Sequence, residues 1–140
     1  MRVMIDTNVV LDMLLDRAPF ADTSCEVLSL CENHHLDGFV TASTVTDIFY
    51  IVRKYTHSTE TAYKAIGKLL EIVKVCPVTN NDILVAYEKR AKDFEDCLLA
   101  VCAKSNGCGT IISRNEKDFG EFDVEAVAPK DFLREQHIFD

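Results

Sequence analysis

The sequence predicts an α/β fold: a three-layer α/β/α sandwich around a mainly parallel central sheet of about five strands. Three observations predict it. Short β-rich apolar runs alternate with segments whose apolar residues recur at helical spacing, the pattern of a sheet covered by helices on both faces. Gly and Pro are few, five and three in 140 residues, and fall between those periodic segments. Acids stand just after apolar runs with helices to follow, and in open parallel sheets the ground outside the carboxyl ends of strands is where ligands bind.

Each element has its own warrant. Val3-Met4-Ile5 centres a strand at 2–6 that delivers Asp6 at its end, and helices follow at 8–15 and 22–34. Gly38-Phe39-Val40-Thr41 marks a strand at 37–41, and the helix expected at 44–55 carries Asp47 in its first turn. Ala62, Ile66, Leu69 and Val73 keep helical spacing and support a helix at 60–71. A strand at 72–76 stops before Pro77, which cannot continue a ladder, and a helix is expected at 80–91. Asp93 is a good N-cap for a helix at 94–105, with Asp96 at the third helical position. That helix is apolar nearly all round, so it should be the most buried. Thr110-Ile111-Ile112 gives a strand at 110–113, followed by a turn at 116–119, a strand at 125–128 ended by Pro129, and a further turn at 130–135.

The chain is expected to form one domain, 1–140, because no linker, low-complexity tract or repeat divides it. A net charge of −8 argues against binding nucleic acid by bulk attraction, yet leaves room for a nuclease whose local cations contact phosphates beside an acidic centre. It also favours a partner with a basic segment. Six cysteines form no CxxC pair and no zinc spacing with His, and most have apolar neighbours, so free buried thiols are expected. His34 and His35 read as surface residues. With no secretory pattern and no apolar run near about 20 residues, a cytoplasmic protein without a membrane segment is expected.

Taken singly, the acids have structural readings. Asp6 suits a helix cap, as does Asn8. Asp47 suits the positive end of a helix, Asp96 a capping box, and Asp118 an exposed turn. Jointly they point elsewhere, because caps work equally well with Ser, Thr or Asn, whereas gathered acids repel one another unless a cation binds or some protonate. Oxygen donors without Cys or His favour Mg²⁺ or Mn²⁺. Such an ion can polarise a phosphoryl oxygen and activate water. No phosphate-binding glycine loop or dinucleotide fingerprint is present, and no nucleophile elbow.

Through these residues the sequence resembles the PIN-domain family, small metal-dependent ribonucleases that include toxins of bacterial toxin–antitoxin pairs. Ile5-Asp6-Thr7-Asn8-Val9-Val10-Leu11-Asp12 is similar to the family's opening motif, Ser43-Thr44-Val45-Thr46-Asp47-Ile48 to its second, and Asp93-Phe94-Glu95-Asp96-Cys97 to its third. Ile112-Ser113-Arg114-Asn115-Glu116-Lys117-Asp118-Phe119 resembles the fourth, and Pro129-Lys130-Asp131-Phe132-Leu133 a common tail. The resemblance implies a PIN-like sandwich in which Asp6, Asp47 and Asp96 bind the metal and carry the chemistry. Asn8, Asn115 and Ser43 would support them. Asn115 departs from the pattern, since the family often has aspartate there; Asp118, one turn on, is the candidate to restore that charge at the metal.

The function expected is therefore a Mg²⁺/Mn²⁺-dependent endoribonuclease acting on RNA, with Arg17, Arg53, Lys54, Arg114 and Lys117 as candidate phosphate contacts. The resemblance further implies an antitoxin partner and a homodimer. The apolar succession Phe49-Tyr50-Ile51-Val52, which one helix face cannot bury, calls for a second layer or another subunit. The rival expectation, motivated by Asn115, is a PIN-like RNA- or protein-binding module with weak chemistry. A third is a phosphatase-like hydrolase of small phosphate esters.

Overall fold

The computed structural model describes residues 1–138. In chain order it contains β1 (Arg2–Ile5), α1 (Thr7–Leu14), α2 (Ala21–Glu32), β2 (Asp37–Thr41), α3 (Ala42–Thr56), α4 (Thr59–Ile72) and β3 (Lys74–Cys76). After these come α5 (Asn80–Lys89), α6 (Phe94–Ser105), β4 (Thr110–Ile112), a 3₁₀ turn (Glu116–Phe119), β5 (Glu125–Val127) and α7 (Pro129–Ile138). The five strands form one sheet in the order β3-β2-β1-β4-β5, and every pairing is parallel. Met4 on the central strand faces Phe39 on one side and Ile111 on the other.

Both faces of the sheet are buried, as the continuous apolar strands require. Val3, Ile5, Val40, Ile112 and Val127 point into a core built from α1, α2, α3, α4 and α7. Met4, Phe39, Cys76 and Ile111 point the other way, onto α6. The expected burial of α6 holds for Cys97 and the run Leu99–Ala103, while its first residue, Phe94, stays exposed. Gly38 shows how closely the layers meet: a Cβ there would lie 2.5 Å from Cys31 Sγ on α2.

Several boundaries shift by one or two residues from expectation, and three of the differences have a clear physical reason. α3 begins at Ala42, two residues earlier, because the Thr41 hydroxyl accepts from Thr44 N at 3.2 Å and caps the helix at once. α4 runs on to the buried Ile72 and shortens β3 to three residues. The expected turn at 130–135 is part of α7. Pro129 occupies its first position, where a missing N–H costs nothing, and Phe132 and Leu133 anchor it in the core.

The apolar succession on α3 is resolved within the chain. Val52 is buried, Phe49 and Ile51 are half-buried against the core shared with α4, and only Tyr50 is left outside. The cysteines are free, five buried and Cys25 exposed. Burial pushes the Cys31 and Cys102 thiols up to about 12, so neither is a nucleophile at neutral pH. His34 and His35 are exposed. Among the described residues no helix is long and apolar enough to cross a membrane.

Candidate active site

The strand order creates the site. From β1 the chain builds outward to β2 and β3, then returns to lay β4 and β5 on the opposite side, so the direction of winding reverses between β1 and β4. At such a switch point the loops leave in opposite directions and open a crevice beyond the strand ends. Asp6 follows β1 there and Ser113 follows β4. The backbone secures the pair, since Asp6 N donates to Ile112 O at 3.0 Å and prolongs the ladder by one bond.

Asp6 is held from three sides. Oδ1 accepts from Thr7 N at 2.8 Å, so Asp6 caps α1. Oδ2 accepts from Ser113 Oγ at 2.7 Å and from Asn8 Nδ2 at 3.3 Å. Asn8 Oδ1 in turn accepts from Arg114 N at 3.2 Å, and Asn115 N donates to Ser113 Oγ at 3.0 Å. The expected support from Asn8 is thus direct. Asn115 contributes its backbone, while its side chain is on the exposed rim.

Asp96 comes to the same cleft from the first turn of α6, where its N–H donates to Asp93 Oδ1 at 2.9 Å. The cleft measures about 30 Å³ and is lined by Asp6, Thr41, Ser43, Glu95 and Asp96 among others. Its electrostatics are those of crowded acids. Burial, then the charges of Asp93, Asp6, Asp118 and Glu95, push the Asp96 carboxyl up to about 6. Asp6 is raised mainly by burial and further by Asp118, against the lowering effect of its Ser113 and Thr7 hydrogen bonds and of Arg114. Glu95 is raised by burial, then by Asp47, Asp93 and Asp6.

The expected shared coordination by Asp6, Asp47 and Asp96 is not formed in this arrangement. Among the described residues no three His, Cys, Asp or Glu side chains are grouped so that they could hold a metal ion. Asp47 lies in the second turn of α3 rather than the first, exposed, and is felt in the cleft through its charge on Glu95. Asp118 is likewise exposed on the 3₁₀ turn and acts on Asp6 and Asp96 at a distance. The oxygen-only donor set still fits a hydrated hard cation, because Mg²⁺ keeps several waters and takes only one or two carboxylates.

Two expected phosphate contacts are occupied otherwise. Arg114 forms a two-pronged ion pair with Asp12, Nη2 to Oδ1 at 3.1 Å, and stacks over Phe20 with 4.1 Å to the ring centre. Arg17 Nε lies 3.1 Å from the same carboxylate. Asp12 is fully buried on α1 and cannot stand alone, so it recruits both cations. Arg53, Lys54 and Lys117 remain exposed, and none joins an ion pair among the described residues. Sequence reasoning missed Glu95 and Ser113 as site residues. Ser113 had a readable signal, since it follows its strand as Asp6 follows β1.

Comparison with known proteins agrees with this geometry. The chain is 26% identical over 136 residues to ribonuclease VapC1 of Aquifex aeolicus, covering 94% of this chain and 92% of that protein. Its fold matches the VapBC2 complex of Rickettsia felis bound to a promoter DNA fragment, with a TM-score of 0.71, 14% identity, and 91% and 98% of the two chains covered. It also matches VapC20 of Mycobacterium tuberculosis, a sarcin–ricin loop cleaving toxin, with a TM-score of 0.67, 13% identity, and 88% and 98% covered. A PIN domain match spans residues 2–117, most of the chain, and the protein therefore belongs to the PIN-domain family.

Proposed function

We propose that this protein is an endoribonuclease dependent on Mg²⁺ or Mn²⁺ and the toxin of a toxin–antitoxin pair. The observation that carries the reading is the acid-crowded cleft at the β1–β4 switch point, where burial and neighbouring acids raise both Asp6 and Asp96, a repulsion that a bound cation would relieve. The curated relative's description as a ribonuclease supplies the substrate class. A bound divalent ion would polarise the scissile phosphoryl oxygen and acidify a water for in-line attack. Asp6 and Asp96 would hold it, with Asp47 and Asp118 adding negative charge around the site. Ser113 and Asn8 fix the Asp6 carboxylate so that it need not reorganise on binding. Glu95, with a raised affinity for protons, is placed to take one from the attacking water. Ser43, which lines the cleft, and Lys117, exposed on the 3₁₀ turn, are suited to orienting the RNA backbone.

The partner reading has two parts. A toxin–antitoxin complex of Klebsiella pneumoniae shares this fold, and a chain of net charge −8 is suited to an antitoxin with a basic segment. Ile83, Leu84 and Tyr87 on α5 with Phe94 at the start of α6 leave apolar side chains exposed, and we assign the homodimer contact to that face.

A second reading follows from Asn115, which stands where the family often has aspartate: an RNA-binding module with weak chemistry. One experiment separates them. Purified protein should cleave a looped RNA with millimolar Mn²⁺, stop on addition of EDTA, and melt at a higher temperature with the metal through binding linkage. RNA binding without cleavage in Mn²⁺ would favour the binding module.

A further inference from the structure

We propose that the exposed face of α3 beyond Asp47 is a nucleotide subsite, where Tyr50 stacks a base of single-stranded RNA flanking the cleavage point while Arg53 and Lys54 contact its phosphates. The proposal rests on the ribonuclease reading above and extends it to where the substrate lies.

α3 buries Thr44, Ile48 and Val52 and turns Ser43, Asp47, Tyr50 and Lys54 outward. The outward set keeps helical spacing, so it forms one stripe. The stripe starts in the cleft, which Ser43 lines, and passes Asp47, whose charge reaches Glu95. Tyr50 lies about 4.5 Å farther along the axis than Asp47 and Lys54 about 10.5 Å farther, at 1.5 Å per residue. These are distances that a strand leaving the cleft would cover within its next nucleotides.

Tyr50 has no structural duty to explain it. It is 54% exposed, whereas its neighbour Phe49 is half-buried and packs edge-on against Tyr63 at 4.8 Å. Arg53 and Lys54 lie over the Tyr50 ring, 5.8 and 6.0 Å from its centre. Elsewhere in the chain cations lie directly on rings, as Arg114 does on Phe20 at 4.1 Å and Arg90 on Tyr87 at 4.6 Å. At Tyr50 both cations lie over the ring near the outer limit of such an attraction, and Arg53 is shared with the Phe49 ring at 5.9 Å, so they hold the exposed ring weakly and a base can displace them. An exposed aromatic ring with cations close by is how single strands are held without sequence preference. Cations in a last helical turn also complement the helix dipole, but that role has no use for an exposed tyrosine.

The test measures binding of a short single-stranded RNA by fluorescence anisotropy in an Asp6→Asn background, which removes cleavage. Tyr50→Ala should weaken the Kd roughly 5- to 150-fold, the range of one lost stacking contact, and Tyr50→Phe should stay within about 2-fold. Lys54→Gln and Arg53→Gln should each flatten the slope of log Kd against log salt by about 0.7. Melting temperatures should be unchanged, since Tyr50 and both cations are exposed. Tyr50→Ala binding as tightly as Tyr50→Phe would overturn the subsite while leaving the ribonuclease reading intact. A loss of dimer with unchanged RNA affinity would overturn it in favour of a contact between copies. If the Asp6→Asn protein bound no RNA at all, the substrate reading would fail first and the subsite with it.

Discussion

Asp12 is the residue on which the architecture around the site leans most. It is fully buried in α1 and balanced by Arg114 from the loop after β4 and Arg17 from the loop after α1. Replacing it by Asn strips both arginines of their partner. Each can partly turn to solvent, with side chains 24% and 38% exposed, so the loss should fall below that of a fully buried pair, at about 2–3 kcal/mol in urea unfolding. A change under about 0.5 kcal/mol would mean the pairing is incidental. Sequence reasoning took both arginines for phosphate contacts because burial of an acid is invisible in a linear string. Asp12 stands among Val9, Val10 and Leu11, which alone does not say which of the four turns inward. Asp82 offers a second check at this scale. Burial pushes its carboxyl up, but hydrogen bonds from Thr79 N at 3.0 Å, Ser105 Oγ at 3.1 Å and Cys102 Sγ outweigh that and hold it below the ordinary range. A lowered carboxyl stabilises the fold above its unfolded value of about 4, and the gain fades as pH falls through the folded value. Asp82→Ala should therefore cost about 1–3 kcal/mol at pH 7, and the gap to the parent should narrow below about pH 4. A gap independent of pH would show that the charge is not what matters.

Among the elements, the contact of β2 with α2 is the tightest point to probe. Gly38 admits no Cβ without displacing Cys31 Sγ, with Val73 Cγ1 only 3.2 Å away on the other side. Gly38→Ala should destabilise by about 1–3 kcal/mol through overpacking. Cys31→Ala in the same chain should recover part of that loss, a coupling read from a double-mutant cycle. Additive effects would place the strain elsewhere. Most elements were legible because their signals are local: Pro77 and Pro129 end strands, Asp93 caps α6, and apolar spacing marks α4. α7 was read as a turn because PKDFLREQHI is mostly polar, and its helix is secured by Phe132 and Leu133 docking in a core assembled from distant segments. The start of α3, two residues earlier than expected, puts Asp47 in the second helical turn. A Thr41 cap three residues upstream of Thr44 was a signal present in the sequence.

For the whole molecule, alternation of strands and helices revealed the layers but not the strand order, which depends on long-range pairing. That order brings Ser113 to Asp6 across 107 positions of sequence, and it turns separate strand-end acids into one cleft. The central claim is that this cleft performs metal-dependent RNA cleavage. The most direct test is cleavage of a looped RNA in Mn²⁺ by Asp6→Asn beside the parent protein. Asn caps a helix about as well as Asp, so the fold should survive, with matching circular dichroism and a similar melting temperature. Cleavage should fall at least about 100-fold, since even groups that only orient a metal ligand cost about 10- to 100-fold when lost. Undiminished cleavage by a folded Asp6→Asn protein would contradict the account.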